Sequence, residues 1–294
     1  MNGLLVVDKP VGVTSRRVVD VVRRLSRERA VGHAGTLDPL ASGVLVLALG
    51  ASTRLLEYVI GHDKRYVTTV VLGATSATDD GEGPVTVSDP APAFTCEQIE
   101  RVVATFRGTL VQRPPSFSAV SVGGQRLYQL ARAGRPIEAP ARQVHIYSMD
   151  VMRWASPYLE LAIHCSKGTY IRSLGRDLGV ALGCGGYLGG LRRTAVGSFT
   201  LDASRHLDVL EDDPGQVCPS LLSPLRALQG WQVIQVDATD TAALRQGKFL
   251  MGEKLPPSGS LAAAVDESGQ LVAVLRSDAD AARWQPVKVF PLFS

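Results

Sequence analysis

Only four cysteines occur in 294 residues, at Cys96, Cys165, Cys184 and Cys218, and none lies close to another in sequence. That spacing writes no zinc knuckle or ribbon, and so few cysteines in so long a chain argue against a disulfide framework. The five histidines, His33, His62, His145, His164 and His206, show no metal-ligand spacing either, so no metal is expected. Long hydrophobic runs are missing too. Val44–Leu49 is six residues, against the roughly 20 that a spanning helix needs. Near the start, Leu4–Val7 stops at Asp8-Lys9-Pro10, too short for a secretory signal. No membrane is expected, and the chain reads as soluble and cytoplasmic. A Walker loop, a Gly-x-Ser-x-Gly elbow and a zinc-deaminase signature are all absent. Gly32-His33-Ala34-Gly35 lacks the third glycine of a dinucleotide fingerprint. No cofactor is implied.

What is present is a globular composition, 45% hydrophobic and 20% charged. At roughly 100–200 residues per domain, the length suits one large domain and a small one. The net charge is only +3, but it is unevenly spread. Residues 1–66 hold ten Lys and Arg against six Asp and Glu, and 101–145 hold seven against one. Residues 200–294 reverse the sign, with eight against twelve. A basic body suggests a polyanionic partner; the plainer alternative is helix faces solvated by arginine.

Along the chain, Gly3–Asp8 reads as a buried strand. Thr14 or Ser15 caps a helix to about Arg27, with Val18, Val22 and Leu25 on one face and arginines on the other. A glycine-rich turn, Gly32–Pro39, precedes a strand at Val44–Leu49 and a short helix at Ser52–Val59. Arg65–Leu72 is β-rich, and 73–92 reads as a polar loop. Thr95-Cys96-Glu97-Gln98 is a capping box for a helix to about Arg107. Arg113–Gly134 looks like an inserted arm: a strand near Ser118–Val122, Gly123-Gly124, then a basic helix from Gln125 to Ala133. Strands follow at 142–152 and 158–165. Thr169 is placed as the cap of a helix through Leu182, and Leu191–Phe199 as a further strand. From Trp231 on, short strands predict a small, mostly β domain.

Several constellations carry chemistry. In Gly32–Pro39 two glycines let the backbone approach a ligand, and the proline after Asp38 fixes its direction. An ordinary turn explains the same residues. In Lys167-Gly168-Thr169-Tyr170-Ile171-Arg172, an arginine in a first helical turn opposes the dipole and needs a reason. A carboxylate partner is one; a solvated side chain is the other. Tyr66 in Lys64-Arg65-Tyr66 suits either stacking on a flat substrate or the core. In the arm, Arg113, Arg126, Arg132 and Arg135 interleave with Phe117 and Tyr128, as suits looped RNA or a solvated hairpin.

In this order, Lys9-Pro10-Val11-Gly12-Val13-Thr14-Ser15, Gly32–Gly43, Lys64-Arg65-Tyr66 and Lys167–Arg172 resemble the bacterial TruB family, the tRNA pseudouridine-55 synthases. Arg113–Val120 and Gly124–Arg132 resemble that family's inserted thumb. The likeness covers residues 3 to about 200 and weakens beyond. Ala34 stands where the family commonly has threonine. The resemblance implies an α/β mixed (α+β) fold: a central, mixed, largely antiparallel sheet flanked by helices, plus a small C-terminal PUA-like domain. Residues 1–229 would be the catalytic domain, with the thumb at about 108–140, and 230–294 the small domain. It also implies Asp38 as the catalytic aspartate, Tyr66 as the aromatic on the target base and Arg172 as the ion-pair partner of Asp38. His33 would contact the T loop, Lys9 and Pro10 would shape the site floor, Tyr170 and Leu191 would line the pocket, and Arg126 and Arg132 would hold RNA. The implied partner is the T stem-loop of tRNA, and the implied state a monomer.

Pseudouridine formation breaks N1–C1′ and makes C5–C1′ without redox change or hydrolysis, so it calls for no cofactor. It calls for an ionised carboxylate, which attacks C1′ or C6 or takes the C2′ proton. A neighbouring arginine favours that charge. The rival reading is an RNA-binding or tRNA-folding protein on the same scaffold; a guide-RNA-dependent relative and an unrelated hydrolase using Asp38 and His33 explain less of the pattern.

Overall fold

Strands rich in valine and leucine build a ten-stranded central sheet. A computed structural model describes residues 1–87, 93–117, 121–122, 125–126, 137, 139–252 and 255–291. The strands are β1 (Gly3–Lys9), β2 (Val31–His33), β3 (Ala41–Leu49), β4 (Lys64–Leu72), a side hairpin of β5 (Ala74–Ser76) and β6 (Val85–Val87), β7 (Gly108–Gln112), a second small hairpin of β8 (Ser121–Val122) and β9 (Gln125–Arg126), β10 (Arg142–Ala155), β11 (Tyr158–Cys165), β12 (Gly186–Val196), β13 (Phe199–Thr200) and β14 (Arg205–His206). The central order is β14-β1-β3-β12-β4-β11-β10-β7, with β2 on β3 and β13 on β12. Pairing is antiparallel except for β1 with β14 and β12 with β3. The sheet is therefore mixed and largely antiparallel, as the family resemblance implies.

The strand patterns follow from what covers each face. Leu4 and Val6 face one core and Leu5 and Val7 the other, so β1 is apolar without alternation. Helix α1 (Ser15–Ser26) lays Val18, Val19, Val21 and Val22 against Leu5, Val7, Leu45 and Leu47, and the short α2 (Leu56–Ile60) follows β3. Thr14 caps it, accepting from the Arg17 N–H at 3.1 Å, and Arg27 ends it in the left-handed region. On the opposite face, Leu4, Val6, Val44 and Val46 pack with Ala263, Val265, Leu271, Val274 and Phe290 of the C-terminal part. Strand β4 alternates instead, burying Lys64, Tyr66, Thr68, Val70 and Leu72 on one side. That side is covered by α3 (Cys96–Ala104), which begins with the expected capping box at Thr95 and Gln98, and by α4 (Ile171–Ala181).

The C-terminal part holds a second sheet, ordered β15 (Gln232–Gln235), β17 (Leu261–Val265), β18 (Leu271–Asp278), β19 (Arg283–Val289) and β16 (Leu250–Met251). It also contains a helix at Ala238–Arg245 that the sequence reading lacks. Its cap is Asp237, which accepts from the Asp240 N–H at 2.7 Å.

Other differences are local. The segment read as a polar loop carries the β5–β6 hairpin. Gly186–Gly190 belongs to β12, and Gly186 lets the strand run close against α4; a Cβ on Gly179 would lie 2.1 Å from the Gly186 nitrogen. Gln125 and Arg126 pair with Val122 and Ser121 as strand rather than opening a helix. Two residues separate these strands, a spacing that favours hairpin pairing. The rest of the expected basic helix, with Arg132, lies outside the described residues, as does the Arg126 side chain. Among the described residues no helix is long and apolar enough to cross a membrane.

Candidate active site

The turn after β2 is clamped from two sides, and that clamp aims Asp38. Ser15, the first residue of α1, is buried; its Oγ accepts from the Leu37 N–H at 2.8 Å and donates to the Leu37 carbonyl at 2.9 Å. From β12, the buried Arg193 donates through Nε to the Val44 carbonyl at 2.7 Å and through Nη2 to the Gly35 carbonyl at 3.1 Å. The Ala41 N–H donates to the Asp38 carbonyl at 3.1 Å, closing the turn into β3. The Asp38 side chain remains 35% exposed, open to a ligand.

Arg172, in the first turn of α4, approaches Asp38 at 3.0 Å between Nε and Oδ2. Its Nη1 meets the buried Asp80 carboxylate at 3.3 Å and donates to the Thr78 carbonyl at 3.1 Å. Its Nη2 donates to the Phe117 carbonyl at 2.9 Å. Two carboxylates and two carbonyls thus explain an arginine at the unfavourable end of a helix. The expected Thr169 cap is corrected: Tyr170 is the N-cap and makes no side-chain cap bond. Thr169 Oγ1 donates instead to the Ser166 carbonyl at 2.9 Å, because Thr169 lies one residue too early to reach the helix donors.

Tyr66 is buried in the same core as Leu40, Ile171 and Leu191. Burial pushes its hydroxyl pKa up, against the charge of the neighbouring Arg193, so it stays protonated at neutral pH. Lys9 is fully buried; its Nζ donates to the Pro10 carbonyl at 2.9 Å and the Val13 carbonyl at 2.6 Å, folding the chain back over Pro10. Burial lowers Lys9 to about 8, with Asp38 pulling upward and Arg193 downward. His33 is lowered by burial and by the Arg193 charge, and its Nδ1 is buried without a hydrogen-bond partner. Tyr170 is half-buried, with the Arg142 guanidinium 5.3 Å from its ring centroid. Among the described residues no cluster of three or more His, Cys, Asp or Glu is arranged to hold a metal.

The structure brings Asp38 and Arg172 into direct contact, with Tyr66, Lys9 and His33 linked to them through the charge of Arg193 or Asp38. Sequence reasoning missed Asp80, Arg193 and Gln112. A charged residue at a strand position with Leu191 and Ala195 two residues to either side was the available signal for Arg193.

Comparison with known proteins gives the family. Residues 23–171 match the TruB family pseudouridylate synthase N-terminal domain, 172–225 the tRNA pseudouridylate synthase B C-terminal domain, and 231–291 the tRNA pseudouridine synthase II C-terminal region. The chain belongs to the TruB family. A TruB relative from Corynebacterium aurimucosum, named tRNA pseudouridine synthase B, is 43% identical over 94% of this chain and 92% of its own. Another of that name from Mycobacterium sp. (strain KMS) is 49% identical over 72% of this chain and 73% of its own. Among solved structures, the chain of a Cbf5-Nop10-Gar1 complex superposes with a TM-score of 0.73 at 25% identity, covering 98% of this TruB-family chain and 84% of that one. An H/ACA RNP bound to a substrate RNA gives 0.74 at 23%, covering 98% and 85%. These two likenesses are of fold.

Proposed function

We propose that this chain converts uridine 55 in the T loop of tRNA to pseudouridine. The observation that carries the reading is the Asp38–Arg172 pair, 3.0 Å apart, with the arginine buried and the carboxylate partly open. A carboxylate held beside a fixed cation is what the isomerisation asks of a protein. Asp38 attacks C1′ or C6, or takes the C2′ proton; N1–C1′ breaks, the uracil turns, C5–C1′ forms, N1 gains a proton and the C5 proton leaves to solvent. The names of the bacterial relatives support tRNA as the substrate.

In this reading Tyr66 receives the flipped base, which offsets the few kcal/mol that extrusion costs. His33 meets the T loop. Lys9 and Pro10 form the floor, Tyr170 and Leu191 the wall, and Arg126 and Arg132 of the arm hold phosphates. Residues 1–229 act as the catalytic body and 230–294 as a small PUA-like domain, in a cytoplasmic monomer. Affinity then falls steeply with salt, as counterion release requires.

The test is tritium release from C5-labelled uridine in an unmodified tRNA, beside a transcript with cytidine at the T-loop target and an Asp38→Ala control. Release from the first alone, lost in the variant, supports the reading. Tight, salt-sensitive tRNA binding without release overturns it in favour of a tRNA-binding protein.

A further inference from the structure

We infer that Gln112 is a positioning residue, which fixes the start of α4 and so the placement of Arg172 against Asp38, tying the root of the inserted arm to the catalytic pair. The inference rests on the pseudouridine reading and concerns a residue with no chemistry of its own.

The α4 N-terminus has no local cap. Tyr170 stands at the N-cap position with an aromatic side chain, and no side-chain cap bond is made there. Orphan groups at a helix start need partners. Here the partner comes from 58 residues away in sequence. Gln112, the last residue of edge strand β7, is 2% exposed. Its Oε1 accepts from the Tyr170 N–H at 2.8 Å, and its Nε2 donates to the Tyr170 carbonyl at 3.0 Å. That carbonyl also accepts the first helical bond, from the Leu174 N–H at 3.2 Å. One amide therefore grips both faces of a single peptide position, two residues before Arg172.

The adjoining residues of the arm root are held by the same helix. Ser173 Oγ, fully buried, donates to the Arg113 carbonyl at 2.8 Å, and Arg176 Nη2 donates to it at 3.1 Å. Arg172 Nη2 donates to the Phe117 carbonyl at 2.9 Å. The Nε of the same guanidinium meets Asp38. The chain that leads into the arm and the arginine beside the reacting carboxylate thus form one hydrogen-bonded unit. A misplacement of an ångström at a reacting centre is enough to cost large factors in rate. Gln112 removes that freedom at its source.

The experiment compares Gln112→Met, which keeps length and loses both bonds, and Ser173→Ala, which frees the arm root on the opposite side, with the wild type. Single-turnover rate constants come from tritium release on tRNA, affinities from filter binding and stability from thermal unfolding. The expected result for Gln112→Met is a rate constant lowered about tenfold or more, equivalent to ~1.4 kcal/mol of transition-state stabilisation, with Kd within about threefold. Ser173→Ala, the milder change, lowers the same rate constant by a smaller factor and reports on the linkage if Gln112→Met does not fold. An unchanged rate constant in both variants, or a weakened Kd with an unchanged rate constant, overturns the inference. A fall in thermal stability alone makes Gln112 a packing residue and overturns it as well. Wild-type protein that forms no pseudouridine defeats the functional reading instead, which separates the two failures.

Discussion

Arg172 and Asp80 form a buried ion pair, 3.3 Å between Nη1 and Oδ2, in which both side chains are less than one-tenth exposed. Asp80 is itself held: its Oδ1 accepts from Thr78 Oγ1 at 2.5 Å and from the Glu82 N–H at 3.1 Å. Neighbouring Asp79 pairs with Arg176 at 2.8 Å, so the loop before β6 is fastened to α4 at two points. Removing Asp80 leaves Arg172 with Asp38 and two carbonyls, so the loss is that of one charged partner, roughly 1.5–3 kcal/mol. Asp80→Ala is expected to lower stability by that order and turnover by more than about tenfold, because Arg172 is then free to swing away from Asp38. Urea unfolding and tritium release check the two effects. Wild-type turnover in Asp80→Ala would show that Asp38 alone holds the arginine.

Asp38→Ala separates chemistry from folding. The carboxylate is one-third exposed and its backbone is fixed by neighbours, so the variant is expected to keep its fold and its tRNA affinity within a few-fold. Turnover should vanish. A large loss of affinity would make Asp38 a binding or structural group. Tyr66→Phe keeps an aromatic face for the base and removes the hydroxyl beside the Arg193 charge, so tritium release should fall while tRNA affinity holds; a wild-type rate would leave the hydroxyl without a part in the reaction.

The sequence was most legible where physics is local. The Thr14 and Thr95 caps, the valine face of α1 and the alternation of β4 all follow from residues within one or two turns or strand periods. Arg172 stood out locally, as an arginine against a helix dipole, whereas Asp38 before proline also suits an ordinary turn and was singled out, with its pairing to Arg172, by the family resemblance. What stayed hidden depends on residues far apart in sequence. Gln112 meets Tyr170 across 58 residues and Arg193 meets Gly35 across 158, and nothing in either neighbourhood announces the other. The Thr169 cap failed for the opposite reason. A favourable cap residue was present, but it stands one position before the N-cap, Tyr170, and its hydroxyl turns back to the Ser166 carbonyl.

Lys64 gives a pH prediction. Its Nζ is buried near Cys165, donating to the Ile60 carbonyl at 2.6 Å and to the His62 carbonyl, and burial lowers it from 10.5 to about 8. Between those values the unfolded chain holds the proton and the folded chain does not. Stability contributed by this group therefore rises with pH across that window, and the full penalty applies below about 8. Lys64→Met should flatten the dependence. Between about pH 7.5 and 9.5 the wild type should gain, relative to the variant, on the order of 2 kcal/mol. Urea unfolding at both pH values gives the comparison, and parallel pH dependences would mean that Lys64 keeps its proton in the fold.

Gly43 tests whether the sheet itself holds the Asp38 turn. Its φ is +102°, and a Cβ there would sit 2.2 Å from the Arg193 carbonyl oxygen. Strands β3 and β12 run parallel at this point, with Gly43 opposite Arg193, and the Arg193 side chain reaches on to Gly35. Gly43→Ala must therefore push β12 away and strain its own backbone. The expected cost is about 2–5 kcal/mol, combining overpacking and a left-handed non-glycine residue. Turnover should fall as well, because the strand that moves carries the side chain clamping the Asp38 turn. Gly269→Ala is the control: its φ is +81° with no atom within 4 Å of the added carbon. It should cost only the backbone strain, about 1–2 kcal/mol, and leave turnover alone. If both variants lose the same stability and keep full activity, the close approach at Gly43 does not hold the Asp38 turn in place.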